Sequence, residues 1–281
     1  MSAAAPPRAF VVGHPIAHSR SPLIHGHWLA AHGIPGSYER LDVAPEAFPD
    51  FVRGLPASGY RGGNVTLPHK EAAFALADTL TARAERIGAV NTLVVEPDGR
   101  IRGDNTDAPG FCAHLDQALG ADWPARGTAV VLGAGGAARA IVAGLAERGV
   151  PRILVANRTP ARAEAVAALA PGIGAALAWD DLPSALEAAG LLVNTTSLGM
   201  KGQPPLDLDL APLPARAAVA DIVYAPLETA LLAAARERGL AAADGLGMLL
   251  HQAVPGFEAW FGLRPTVTPA LRDRIVADLA P

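Results

Sequence analysis

The stretch Val130–Arg139, ValValLeuGlyAlaGlyGlyAlaAlaArg, constrains the fold more than any other part of the chain. An apolar, β-branched run ends at Gly133, and Ala134, Gly135, Gly136, Ala137 and Ala138 complete a GxGxxA turn into an alanine-rich segment. In such a turn the first glycine permits the tight bend, and the second lets a pyrophosphate approach the backbone. The small third residue lets the helix pack on the sheet, with phosphate resting on the helix N-terminus. Glycine-rich strings arise by chance in a chain rich in alanine and glycine, so the context carries the weight. The pattern predicts a strand at Ala129–Leu132, a helix at Gly135–Arg148, a strand at Ile153–Ala156 and a helix at Pro160–Ala170. It continues with a strand near Ala175–Ala178, a helix near Leu182–Ala189, strands at Leu191–Asn194 and Ala218–Val223, and a helix at Leu227–Arg238. This alternation implies right-handed crossovers and a parallel sheet covered on both faces.

At the end of the second of these strands an NAD site would place an acidic residue on the ribose hydroxyls. Asn157, Arg158 and Thr159 stand there instead, with Arg162 one turn on and no carboxylate before Glu164. Guanidinium groups and short polar side chains suit a 2′-phosphate that a carboxylate would repel, so the expected cofactor is NADP. Thr159 and Pro160 also suit the cap and first position of a helix, a role compatible with the first.

The N-terminal part predicts a second α/β domain. A strand ends at Gly13, and Ser21–Pro22 reads as the cap and first residue of a helix reaching about Ala31. Tyr38–Val43 alternates as a strand, Pro45–Arg53 reads as helical, and Gly63–Thr66 is strand-like before a helix that follows Pro68. Asn91–Glu96 and Arg100–Asp104, separated by ProAspGly, predict a hairpin. Thr106–Leu119 predicts a helix with Pro109 in its first turn, and residues 120–127 read as a linker. From Gly245 onward the chain is helical without strands and is expected to pack on an earlier element.

Composition enters as a set of exclusions. A chain of 281 residues, 51% hydrophobic and 18% charged, buries a sizeable core, which excludes a disordered protein. A formal charge of −4 supplies no basic field for nucleic acid or an anionic membrane. Cys112 is the only cysteine, which excludes an internal disulfide framework and a cysteine-rich zinc site. The start, MSAAAPPRAF, lacks the apolar stretch of a signal peptide, and glycines and Arg139 break the greasy segment Ala129–Ala146. The expectation is a cytoplasmic protein, a monomer or homodimer, whose partners are small molecules rather than nucleic acid or membrane.

Lys70 and Lys201 are the only lysines among 23 basic residues, which makes each informative. Arginine cannot release a proton near neutral pH, whereas a lysine amine can be tuned to do so. Lys70 lies in AsnValThrLeuProHisLys, 64–70, one of four polar strings at the ends of predicted strands, where α/β proteins place ligands. The others are GlyHisProIleAlaHisSerArgSerPro at 13–22, AlaValAsnThr at 89–92 and GlyAspAsnThrAspAlaProGly at 103–110. Ser19 and Ser21 are two hydroxyls on a turn entering a helix, suited to a carboxylate, although Ser21 serves equally as a cap. His14 and His18 lack the carboxylate partners and spacing of a metal site, so turn hydrogen bonding is expected of them and no metal is. Asp104 and Asp107 suit either chemistry or the capping of the following helix.

Taken together these strings resemble the shikimate dehydrogenase family. AsnThrThrSerLeuGlyMet (194–200), AspIleValTyrAlaProLeuGluThr (221–229) and GlyLeuGlyMetLeuLeuHisGln (245–252) extend the resemblance, in the family's order, over nearly the whole chain. It implies an NADPH-dependent, reversible reduction of 3-dehydroshikimate to shikimate in chorismate and aromatic amino acid biosynthesis. It implies a substrate domain of residues 1–104 plus 245–281 and a Rossmann-type, doubly wound NADP domain of residues 105–244. Lys70 and Asp107 would be the catalytic pair. Ser19 and Ser21, with Tyr224, would hold the substrate carboxylate, and Thr66, Asn91 and Gln252 its hydroxyls. The 133–138 turn, Asn157, Arg158, Thr159, Arg162, Thr195, Gly245 and Met248 would surround the cofactor. His14 stands where the family often has asparagine, and Pro109 and Pro255 enter predicted helices. A quinate/shikimate dehydrogenase with broader substrate or NAD use shares most of these motifs. A nonenzymatic NADP-binding regulator would be expected to have lost Lys70 or Asp107, and both are present.

Overall fold

A computed structural model describes residues 5–279, and its internal contacts divide the chain into two units. The first runs to Thr106 and takes in Gln252–Ile275; the second is Asp107–His251 with the residues from Val276 on. These boundaries fall later than the 104/105 and 244/245 divisions expected from the sequence. Among the described residues no helix is long and apolar enough to cross a membrane.

The first unit contains β1 (Arg8–Gly13), α1 (Ser21–Ala31), β2 (Ser37–Asp42), α2 (Phe48–Gly54) and β3 (Tyr60–Val65). It continues with α3 (Lys70–Leu76), β4 (Thr79–Leu80), α4 (Ala82–Ile87), β5 (Thr92–Val95) and β6 (Ile101–Asp104). Its sheet has the order β2-β1-β3-β5-β6-β4, with β1 parallel to β2 and β3. The predicted hairpin is present as β5–β6. Alternate residues of β1 feed opposite faces: Phe10 and Val12 pack with Phe48 and Val52 of α2, whereas Ala9 and Val11 pack with Tyr38 and Trp260.

The second unit opens with α5 (Asp107–Leu119), β7 (Thr128–Leu132), α6 (Gly136–Glu147), β8 (Ile153–Ala156), α7 (Pro160–Ala167) and β9 (Gly174–Leu177). Then come α8 (Leu182–Glu187), β10 (Ala189–Asn194), β11 (Ala218–Asp221), α9 (Ala230–Glu237) and β12 (Ala241–Ala243). All strand pairs are parallel, in the order β12-β11-β10-β7-β8-β9. That is the doubly wound order, with its reversal between β7 and β10. Here too the period of two decides the layers. Ala129 and Val131 of β7 join Leu191 and Val193 of β10 beneath α5, α6 and α7, while Val130, Leu132 and Leu192 meet Leu182, Leu186, Leu231 and Leu232 of α8 and α9.

The strandless end forms α10 (Gly245–Phe261) and α11 (Pro269–Leu279). From Gln252 to Ile275 it groups with the first unit. The Trp260 indole donates to the Leu93 carbonyl at 2.9 Å and the Trp28 indole to the Thr266 carbonyl at 3.1 Å. Both prolines are accommodated: Pro109 sits in the first turn of α5, and α10 continues through Pro255.

Local differences have local causes. Ser21 is not the cap of α1: the turn before it already bends helically, Leu23 and Ile24 donate to the Arg20 carbonyl, and Arg20 takes that position. The helix predicted from Leu227 starts at Ala230, because the Thr229 hydroxyl caps it by accepting from the Leu232 amide. The strands β4 and β12 have two and three residues, too short for any periodicity to mark.

Candidate functional site

In the first unit the polar strings converge at the carboxyl end of β3. Register places Asn64 opposite Thr92, and Thr92 opposite Asp104, so the segments beyond all three lie side by side. The Val65 amide donates to the Asn91 carbonyl at 2.8 Å, and the Asn91 amide to the Asp104 carbonyl at 3.0 Å. Lys70 opens α3, half-buried, with its own carbonyl accepting from the Val90 amide at 3.0 Å. Thr66, Lys70 and Asn91 are therefore brought together.

A histidine that sequence reasoning missed fixes the lysine's backbone. His69 is 2% exposed, and its ring lies flat on Phe48 with centroids 4.2 Å apart. Its Nε2 lies 2.7 Å from the Val43 carbonyl, which can only accept, so Nε2 carries the proton. Anchored on both sides, His69 presents Lys70 at the first position of a rigid helix.

Asn91 is tied just as firmly. Its Oδ1 accepts from the Thr106 amide at 2.8 Å and the Thr92 hydroxyl at 2.9 Å, and its Nδ2 donates to the Thr106 hydroxyl at 3.1 Å. Behind it the Tyr38 hydroxyl donates to Asn64 Oδ1 at 2.6 Å, and Asn64 Nδ2 donates to the Asn91 carbonyl and the Thr92 hydroxyl. The network is buried, a setting in which each satisfied bond rigidifies its neighbours. Asp104 is absorbed elsewhere: its carboxylate pairs with Arg83 at 2.8 Å and accepts from the Thr81 hydroxyl at 2.7 Å.

Ser19 and Ser21 are neighbours, the Ser21 amide donating to the Ser19 hydroxyl at 3.3 Å, while Arg40 clamps the Ser19 carbonyl at 2.7 and 3.0 Å. His14 pairs with Asp42 at 2.6 Å. Among the described residues no group of three or more His, Cys, Asp or Glu side chains is arranged to hold a metal ion. Gln252 is buried on α10 in the first unit, whereas Asp107, buried at the start of α5, and half-buried Tyr224 belong to the second.

The glycine turn of the second unit has the form its sequence predicts. Gly133 has φ +103°, and a Cβ there would stand 2.7 Å from Thr195 Oγ1, so both conformation and space demand glycine. Thr195 is held against the turn by two bonds to the Leu132 carbonyl, from its amide at 2.9 Å and its hydroxyl at 2.6 Å. Gly135 and Gly136 have open space where a Cβ would stand, and no side chain caps the first amides of α6. Ala138 is fully buried against the sheet core. The donor set and the open cradle fit a bound diphosphate.

At the end of β8 the Asn157 side chain donates to the Thr159 carbonyl at 3.1 Å, and Thr159 precedes Pro160 as the N-cap of α7. Arg158 and Arg162 are exposed, and among the described residues neither has a carboxylate partner. Two guanidinium groups left to solvent are suited to a dianionic phosphate. Met248 is buried in the sheet core, and Gly245 packs so closely that a Cβ would lie 2.2 Å from the Ile222 carbonyl oxygen. A requirement for glycine at 245 thus follows from packing alone.

Family profiles match three parts of the chain: the shikimate dehydrogenase substrate binding domain over residues 11–93, shikimate/quinate 5-dehydrogenase over 121–200, and the shikimate 5′-dehydrogenase C-terminal domain over 245–270. A relative from Methylobacterium radiotolerans, named shikimate dehydrogenase (NADP(+)), is 86% identical over 98% of this chain and 99% of its own. Among solved structures, the Thermus thermophilus shikimate 5-dehydrogenase in complex with NADP(H) and shikimate is 40% identical. It matches with a TM-score of 0.85 over 98% of this chain and all of that one (100%). A quinate dehydrogenase from Corynebacterium glutamicum in complex with NAD is 30% identical with a TM-score of 0.89, covering 97% of this chain and 99% of its own. The chain belongs to the shikimate dehydrogenase family.

Proposed function

We propose that this protein is a cytoplasmic NADP-dependent oxidoreductase that interconverts 3-dehydroshikimate and shikimate. The observation that carries the reading is the pairing of two carboxylate-free guanidinium groups, Arg158 and Arg162, with the open glycine cradle at 133–136. They occur in a chain 86% identical to a relative named for NADP(+). The second unit holds NADP, and most of the substrate-binding residues belong to the first. The enzyme acts as a monomer or homodimer on small molecules alone.

NADPH, when bound, supplies a hydride. The chain's own task is to place the ketone and manage one proton. The Lys70 ammonium would hydrogen-bond the carbonyl oxygen, stabilise the negative charge that reduction puts there and give it a proton. In oxidation the same amine takes the proton back. Asp107, the second catalytic residue, accepts from a ring hydroxyl. Asn91, fixed by Thr106 and Thr92, presents a pre-set amide to another hydroxyl, with Thr66 and Gln252 beside it. Ser19, Ser21 and Tyr224 hold the carboxylate. Gly133 to Ala138, Thr195, Gly245 and Met248 line the cofactor, and Asn157, Arg158, Thr159 and Arg162 hold its 2′-phosphate.

Following NADP⁺ and NAD⁺ reduction with shikimate and quinate as separate substrates tests this reading. The expected result is turnover of shikimate with a clear preference for NADP⁺; preference for NAD⁺, or for quinate, overturns it. The paired change Arg158→Ala, Arg162→Ala should lower kcat/KM for NADP⁺ by about 10- to 100-fold, the worth of one to two charge-assisted hydrogen bonds. Kinetics with NAD⁺ should stay within about twofold, since that cofactor lacks the phosphate. Equal losses with both would place the arginines elsewhere.

A further inference from the structure

Asp221 is the one buried carboxylate of the 221–229 motif, and the mechanism above gives it no task. It is 2% exposed at the carboxyl end of β11, and among the described residues no cation pairs with it. A lone buried charge costs free energy unless it is fully hydrogen-bonded. Here Oδ1 accepts from the Asn194 amide at 2.9 Å and the Val223 amide at 3.0 Å, and Oδ2 from the Thr229 hydroxyl at 2.7 Å.

Those three donors belong to three segments. Asn194 stands in register with both Leu132 and Asp221, so the three residues form a row across β7, β10 and β11 next to the reversal of the sheet. Beyond that row Asn194 organises the next loop: its Oδ1 accepts from the Thr196 amide and hydroxyl at 3.0 and 2.7 Å, and its Nδ2 also reaches the Leu198 carbonyl at 3.3 Å. Thr195 lies inside this loop, pressed against Gly133. Val223 leads directly into Tyr224, and Thr229 caps α9. A carboxylate is the one side chain of this size that accepts from three donors and offers none.

We propose that Asp221 is a positioning residue: through Asn194, Val223 and Thr229 it fixes the loops that carry Thr195 and Tyr224, and so governs cofactor and substrate binding without touching either ligand. The inference rests on the functional reading given above. Asp221→Asn keeps size and shape but turns one oxygen into a donor, so either the Thr229 hydroxyl must turn round to accept or the Asn194 and Val223 N–H groups face an N–H; both outcomes break the three-donor arrangement.

The test measures dissociation constants for NADP⁺ and for adenosine 2′,5′-bisphosphate, together with the melting midpoint, in wild type and Asp221→Asn. The bisphosphate reports the Arg158–Arg162 end, at β8, outside the row that Asp221 orders. The expected result is NADP⁺ binding weaker by about tenfold, bisphosphate binding within about twofold, a retained melting transition and a severalfold higher KM for shikimate. Unchanged NADP⁺ binding overturns the inference, as does equal weakening of both ligands with a lower midpoint, which marks general loosening. Thr229→Val removes one donor and keeps the acid. It should give the same split with a smaller amplitude, and decides the matter if Asp221→Asn does not fold. Failure of the wild type to bind either ligand would overturn the functional reading and this inference with it; intact wild-type binding and an unchanged variant overturn this inference alone.

Discussion

Replacing Lys70 by alanine is expected to lower kcat by about 10²- to 10⁴-fold, the usual contribution of a positioned general acid. The loss should appear in kcat and kcat/KM alike, because the ammonium acts on charge that develops in the transition state. Binding of NADP⁺ should be unaffected, since the role proposed for Lys70 is at the substrate ketone and not on the cofactor. Steady-state kinetics with shikimate, together with a direct NADP⁺ titration, measure both. A raised KM with kcat near the wild-type value would make Lys70 a binding residue and remove the proton donor from the proposal. Lys70→Arg sharpens the test: it keeps the positive charge but cannot release a proton near neutral pH, so it should restore little of the rate.

The structure adds a reason for the effect to be confined to chemistry. Lys70 stands at the first position of α3, and His69 holds the backbone just before it through Phe48 and the Val43 carbonyl. Removing the lysine side chain leaves that anchoring intact. The fold should therefore survive the substitution, and the lost activity reports the amine.

What the sequence discloses and what it hides divide along a physical line. Gly133 was legible because its demand is local, a bend between a strand and a helix within six residues. The parallel sheet was legible because period two and period 3.6 alternate in blocks long enough to distinguish. Lys70 stood out by scarcity. His69, Tyr38 and Asp221 did not, since each takes its meaning from a partner far along the chain: Val43, Asn64 and Asn194. No local pattern announces such pairs. AlaAlaAla at 241–243 forms a strand only because β11 offers an edge to pair with, although its propensity is helical. Ser21 shows the reverse error, a sound capping signature displaced because the preceding turn had begun the helix one residue early.

The first unit should lose stability as pH falls below about 6.5, and His25 is the main reason. Its ring is wholly buried, stacked on Tyr38 at 3.9 Å and surrounded by Trp28, Phe257 and Trp260. Burial pushes its pKa down to about 3, opposed only in part by the nearby Asn64 side chain. The native state thus holds the neutral ring while the unfolded chain takes a proton near pH 6.5. With the folded pKa depressed, the stability is fully present above the unfolded value and drains away as pH falls toward about 3. Each unit in that window costs about 1 kcal/mol per histidine. His251 in the second unit, lowered to about 4 by burial first, acts in the same direction. His25→Gln should cut the pH dependence of unfolding free energy there, leaving the shares of His251 and of His27, which burial also lowers. Urea unfolding at several pH values measures it, and equal slopes in wild type and variant would refute it.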